Sequence, residues 1–99
     1  MAATPTANIK YTHTAPTATT TTGAALAANT NRRYAIFQND GTNAVYIKVG
    51  VAAVASQGIL LTASGGSYTM NREIGNMSYD AVNCITGVGS SVVLVTEGT

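Results

Sequence analysis

Tryptophan is absent from this chain of 99 residues, and cysteine, histidine and phenylalanine occur once each. A single cysteine excludes an intrachain disulfide framework and a cysteine-based zinc site. A single histidine excludes a metal site built from several imidazoles. Charge is scarce too: 9% of residues are charged, against about 25% in an ordinary soluble domain. Five Lys and Arg face four Asp and Glu, a net charge of +1. Nucleic-acid binding requires several clustered cations, so this balance argues for no nucleic-acid partner. It argues equally against a polybasic membrane anchor. The longest apolar stretches, such as Val51 to Ala55, fall far short of the roughly 18 residues of a membrane span. Met1 to Thr6 lack the basic and apolar regions of a secretory leader. Synthesis inside the cell, with a reduced thiol, is therefore expected.

What is present points to architecture. The length suits one domain, and such a domain buries roughly 60–65% of the surface its unfolded chain exposes. Hydrophobic residues make up 45% of the chain, many of them Ala, so the core of large side chains is small. Residues 1–31 are dominated by Thr and Ala, with Pro5, Pro16 and the run Thr19 to Thr22. This segment lacks the apolar area to build a core. Thr is β-branched and favours extended backbone, and proline opposes a helix. Residues 1–16 read as an extended N-terminal arm that orders against another surface, reaching about 50 Å at about 3.3 Å per residue. Residues 17–99 read as the folded domain, with its first strand within 17–22.

From Arg32 the pattern is all-β. Arg33 to Asn39 is apolar and aromatic, and Asn39 to Asn43 is dense in turn formers. Ala44 to Val49 alternates, with Val45, Ile47 and Val49 on one face. Strand, turn and strand predict a β-hairpin. Residues 51–57 read as a loop, 58–61 as a short strand, 63–67 as a turn and 68–71 as a strand. A bulged strand is expected over 77–85. A closing strand over 91–97, continuously apolar at Val92 to Val95, is expected to be buried on both faces. The run Ala24 to Ala28 allows one helical turn. Six or seven short strands with a turn every 8–12 residues predict a small β-sandwich or jelly-roll-like domain.

The stretch from Arg32 to Gly50 runs from an Arg-aromatic strand through a Phe-Gln-Asn step and a polar turn to an aromatic-aliphatic strand ending at glycine. It resembles small virion proteins of tailed bacteriophages. The apolar strand and Gly-rich turn of Leu60 to Tyr68, and the apolar closing strand before a glycine, are similar to the later strands of those proteins. The likeness spans roughly residues 32–97, and the arm has no counterpart. It implies a β-sandwich structural component of the particle, with the capsid decoration (cement) protein as the leading role. The expected partners are the chain itself, as a homotrimer, and the major capsid protein. The expected location is the capsid exterior, after synthesis in the bacterial cytoplasm. The alternative is a tail- or fibre-associated module that binds a receptor glycan, suggested by the Tyr residues and small polar loops.

Residue by residue, chemistry is sparse. His13 lies in the arm without Cys, Asp or Glu nearby in sequence, so it lacks the neighbours of a catalytic or metal-ligating imidazole. Cys84 lies in a strand near Val82 and Ile85 and reads as a small core residue. Asp40 belongs to a turn, and Glu97 to a solubilised chain end. Arg72 and Glu73 suit ion pairs between subunits. Gly65-Gly66 and Gly87-Val88-Gly89 lack the strand-to-helix setting of a phosphate loop. No nucleophile–histidine pair points to an enzyme, and no cofactor is implied. Arg32 and Arg33, the densest charge, are candidates to grip carboxylates on a neighbouring protein. Ile9 and Tyr11 carry the arm's largest apolar area and are its expected anchors in pairing with a sheet edge on the shell.

Overall fold

The structure, a computed structural model, describes residues 9–99. The described residues form strands β1 (Tyr11–Thr14), β2 (Thr17–Ala18), β3 (Gly23–Leu26), β4 (Tyr34–Asn39), β5 (Val45–Val49), β6 (Ile59–Leu61), β7 (Ser67–Asn71), β8 (Val82–Thr86) and β9 (Ser91–Gly98). Every pairing is antiparallel. One sheet runs β1-β9-β4-β7, with β2 also on β9; the second runs β3-β8-β5-β6. The break between β1 and β2 falls at Pro16, which has no N–H to give the ladder. Its carbonyl still accepts from the Val93 amide at 2.9 Å. With β1 and β2 taken as one interrupted strand, first pairs with last, second with seventh, third with sixth, and fourth with fifth. That nested pairing, wrapped into two sheets, is a jelly roll. The expected all-β sandwich is therefore present.

Period-two alternation decides which side chains meet between the sheets. Ala35 and Phe37 of β4, Val93 and Val95 of β9, and Met70 of β7 point inward from one sheet. Val45 and Ile47 of β5, Leu61 of β6, and Val82 and Cys84 of β8 meet them from the other. Ala18 and Ala25 fill the remaining space with little volume. The Ala24–Ala28 run forms no helical turn: Gly23 to Leu26 pairs with β8, and tertiary pairing overrides the helical preference of Ala. The closing strand is not buried on both faces. It alternates, and Leu94 is 39% exposed on the outer side. The strand expected over 77–85 is regular only from Val82, and the register shift lies in its partner β3, between Ala24 and Leu26.

The hairpin expected over residues 33–49 does not form. β4 pairs with β7 and β9, whereas β5 pairs with β6 and β8, so residues 40–44 cross between sheets. Asn39 makes the crossing possible. Its fully buried side chain donates to the carbonyls of Asn43 at 2.7 Å and Leu61 at 3.1 Å. Its Oδ1 accepts from the Gly41 amide at 2.9 Å and the Ser91 hydroxyl at 2.7 Å. One side chain thus replaces the ladder bonds that a hairpin turn would have made. Gly41 lies so close to Ser91 that an added Cβ would overlap it.

The arm needs correction in part. Residues 1–8 of the expected arm lie outside the described residues. Tyr11–Thr14 is extended, but it is the edge strand of this chain's own sheet, in register Tyr11↔Gly98 to Thr14↔Val95 on β9. Thr17 continues on the same strand, so a division between residues 16 and 17 does not separate arm from domain.

Replacing Asn39 with Ala strands two buried acceptors and two donors. Each unpaired buried group costs about 1–3 kcal/mol, so Asn39→Ala is expected to lose at least about 3 kcal/mol of stability. Urea denaturation checks this, and a loss below about 1 kcal/mol would mean that the crossing is held by other contacts.

Candidate functional site

Strand register brings four residues far apart in sequence to one end of the first sheet. Lys10 and Thr99 exchange backbone hydrogen bonds, each 2.9 Å, just before β1 and just after β9. Arg33 donates its amide to the Gly98 carbonyl at 2.7 Å, at the entry to β4. The pairing Tyr34↔Asn71 then sets Arg33 opposite Arg72 at the exit of β7. Lys10, Thr99, Arg33 and Arg72 therefore form one row across the strand ends. Together with Thr30 and Asn31 they line an open cleft of about 490 Å³. The row just inside it, Tyr11, Gly98, Tyr34 and Asn71, faces outward. Tyr34 lies against Gly98, where a Cβ would meet its Cε1 at 2.5 Å and Ile9 Cγ2 at 3.0 Å. Tyr11 meets the Tyr34 ring edge-on with centroids 5.7 Å apart. Ile9 and Tyr11, the expected anchors, are thus gathered with Tyr34 beside the cleft.

Arg32 is not a partner contact. Its side chain has no exposed surface. Nε donates to Glu97 Oε2 at 2.8 Å in a buried ion pair. Nη1 donates to the carbonyls of Ser78 at 2.8 Å and Asp80 at 2.9 Å. Nη2 donates to the Ala27 carbonyl at 2.6 Å. Glu97, expected to solubilise the chain end, is instead this internal counter-ion. Arg32 and Arg33 look equivalent in sequence, yet they project to opposite environments: Arg33 is exposed in the cleft. The guanidinium binds the loop after β3, the loop before β8 and the end of β9, which fixes the ground under the cationic row.

The remaining candidates are dispersed. His13 is exposed, with Nδ1 3.0 Å from the Thr96 hydroxyl. Cys84 is buried in the core, and burial pushes its thiol above its ordinary value of 9.0. Partial burial, then the adjacent Tyr11 hydroxyl, pushes the Tyr34 phenol above 10.0. Asp40 sits at the sheet crossing, and its amide donates to the Val92 carbonyl at 2.8 Å. Arg72 donates to the Tyr79 hydroxyl at 3.0 Å. Among the described residues, no three of His, Cys, Asp and Glu are grouped to hold a metal ion. Sequence reasoning missed Lys10 as a site residue and gave Arg72 only a general ion-pairing role. The available signal was the strand pairing itself, which places 10, 33 and 72 side by side.

Replacing one partner of a buried ion pair leaves the other uncompensated, at about 3–5 kcal/mol. Arg32→Met is expected to lose at least that much in urea denaturation, and adding Glu97→Met to recover only the share due to the stranded carboxylate, because the carbonyls of Ala27, Ser78 and Asp80 lose their donor in both variants; equal losses in single and double variants would contradict the pairing. Cys84 and Tyr34 hold their protons in the folded state at pH values where the unfolded chain releases them. Their contribution is complete below about pH 9 and is lost as pH rises through the folded values. Stability measured against pH should fall above pH 9, and fall less in Cys84→Ala; an equal fall in that variant would remove the thiol from the cause. No protein-family model matches this chain, and no curated protein or solved structure matches it.

Proposed function

We propose that this chain is a structural protein of a phage particle, a capsid decoration protein that binds and stabilises the head shell as a homotrimer. The likeness of residues 32–97 to small phage virion proteins supplies the class. The distribution of surfaces carries the reading. The cationic row and the Tyr11–Tyr34 pair occupy one end of the first sheet. A separate apolar row, Leu60, Tyr46 and Ile85, crosses the outer face of the second sheet. Leu60 is 51% exposed there, at an edge strand of three residues. Unpaired edges and exposed apolar rows invite association with other chains. One surface serves contact between copies, and the other serves contact with the shell.

The mechanism is mass action. A protein that binds the assembled lattice and not its free subunits stabilises the lattice by its binding free energy. Three weak contacts on one trimer add through high effective concentration. The hydrogen-bonded sheet end matters because contacts ordered before binding lose little entropy on docking.

Light scattering after size exclusion should give three times the chain mass, and Leu60→Glu should reduce it to one. In co-sedimentation with empty shells, the wild-type protein is expected to pellet and to raise the temperature at which shells break. A monomeric wild type would remove the trimer, and no pelleting would remove the decoration role. Specific retention on a glycan array, without shell binding, would favour the receptor-binding alternative, for which the half-exposed Tyr11 ring is a suitable stacking surface.

A further inference from the structure

We infer that the segment from Lys10 to Thr19 is exchanged between copies of this chain, each copy's β9 receiving it from a neighbour around a closed ring. This describes how the copies of the proposed trimer are joined and rests on that reading for their number alone. β1 and β2 keep one register on β9, from Tyr11↔Gly98 and Thr14↔Val95 through Thr17↔Val92 to Ala18↔Ser91. They form a single edge segment, bound mainly through its backbone. All four β1 side chains are exposed, and Ala18 is the one residue of the segment in the core. Its side chains otherwise touch the body at the Tyr34 ring, through Tyr11, and at the Thr96 hydroxyl, through His13. A second copy offers the same amides, carbonyls and rings, so a segment laid on a neighbour makes every bond that it leaves. A head-to-tail exchange of this kind closes into a ring when the rotation between copies allows it.

The connection to β3 favours the exchange. Thr19 to Thr22 is a run of β-branched residues, and its middle, Thr20 and Thr21, is an exposed bend. The run holds no Gly, Pro, Asn or Asp, the residues that suit turns. β-branched residues favour extended backbone instead. Local support for the bend is slight: the Thr19 hydroxyl lies 3.3 Å from both the amide and the carbonyl of Thr21. On either side the chain is fixed to the second sheet. The Thr86 amide donates to the Thr19 carbonyl at 2.8 Å, and the Ala53 amide donates to the Thr22 hydroxyl at 2.8 Å. A change of backbone at Thr20 and Thr21 alone therefore frees everything before them. Short hinges of this kind invite strand exchange. The closed chain keeps its own segment at high effective concentration. The extended preference of the hinge and the apolar contact through Leu60 oppose that advantage, and Leu60→Glu returns the segment to its own chain.

The test is a cross-link across the β1–β9 ladder of the full chain. Lys10 and Thr99 exchange both backbone bonds, so by alternation His13↔Thr96 is a pair without them, the kind whose side chains lie closer. His13→Cys/Thr96→Cys places a disulfide there, and Cys84, which is buried, stays in place. On mild oxidation a closed chain links to itself, and an exchanged chain links to its neighbour. Denaturing gels without reductant should show a three-chain product. Inserting Gly-Ser-Gly between Thr20 and Thr21 lengthens the hinge and should shift that product to the one-chain mass, as should Leu60→Glu. Chains carrying His13→Cys alone and Thr96→Cys alone, expressed together, should become joined. A one-chain product from the double variant would overturn the exchange, as would failure of the two single variants to join. The outcomes also separate this inference from the reading above. A trimer by light scattering whose double variant runs as one chain loses the exchange and keeps the trimer. A three-chain product from a protein that ignores shells keeps the exchange and loses the decoration role.

Discussion

A guanidinium withdrawn from water must find oxygen acceptors inside the protein, and Arg32 finds four of them on separate residues. Only Glu97 is charged; the other three are backbone carbonyls. Desolvating an ion pair is expensive, and such pairs often contribute little to net stability compared with apolar packing. What this one contributes is position. The guanidinium geometry permits one arrangement of the end of β9, the loop after β3 and the loop before β8. The exposed cations, Lys10, Arg33 and Arg72, stand directly on that arrangement, so a buried charge determines where the surface charges sit.

The other end of the same sheet has a neutral counterpart. Asn39 is also buried and fully hydrogen-bonded, and it directs the chain from one sheet to the other. The apolar core between the two is modest, built from one Phe and mostly Val, Ala and single larger aliphatics. A core of this kind specifies a sandwich but does not by itself choose among topologies. The two polar clusters supply that choice, since a different crossing would leave their donors and acceptors buried and unpaired.

The sandwich was legible where side chains obey a local period. Val45 and Ile47 alternate with Tyr46 and Lys48, and the structure buries the first pair as that alternation requires. The topology was not legible, because Asn39-Asp40-Gly41 has the composition of a hairpin turn, and beside its local bonds to Gly41 and Asn43 the Asn39 side chain makes two more to Leu61 and Ser91, residues 22 and 52 positions away. The same limit applies to Arg32 and Arg33. Adjacent and chemically identical, they are told apart only by the strand register that sends one to Glu97 and the other to the cleft. Ile9 and Tyr11 were singled out for their apolar area, and that area is used, though against Gly98 and Tyr34 of the same chain.

These features describe a weakly charged body with three of its five cations at one end of the first sheet, the end that the proposed decoration role turns toward the shell. The most direct measurement is the position of the chain in purified phage particles by electron cryomicroscopy. Density matching the jelly roll on the outside of the head, with the end bearing Lys10, Arg33 and Arg72 turned toward the shell, is the predicted result. Particles that lack the chain altogether, or carry it with that end facing solvent, would contradict it.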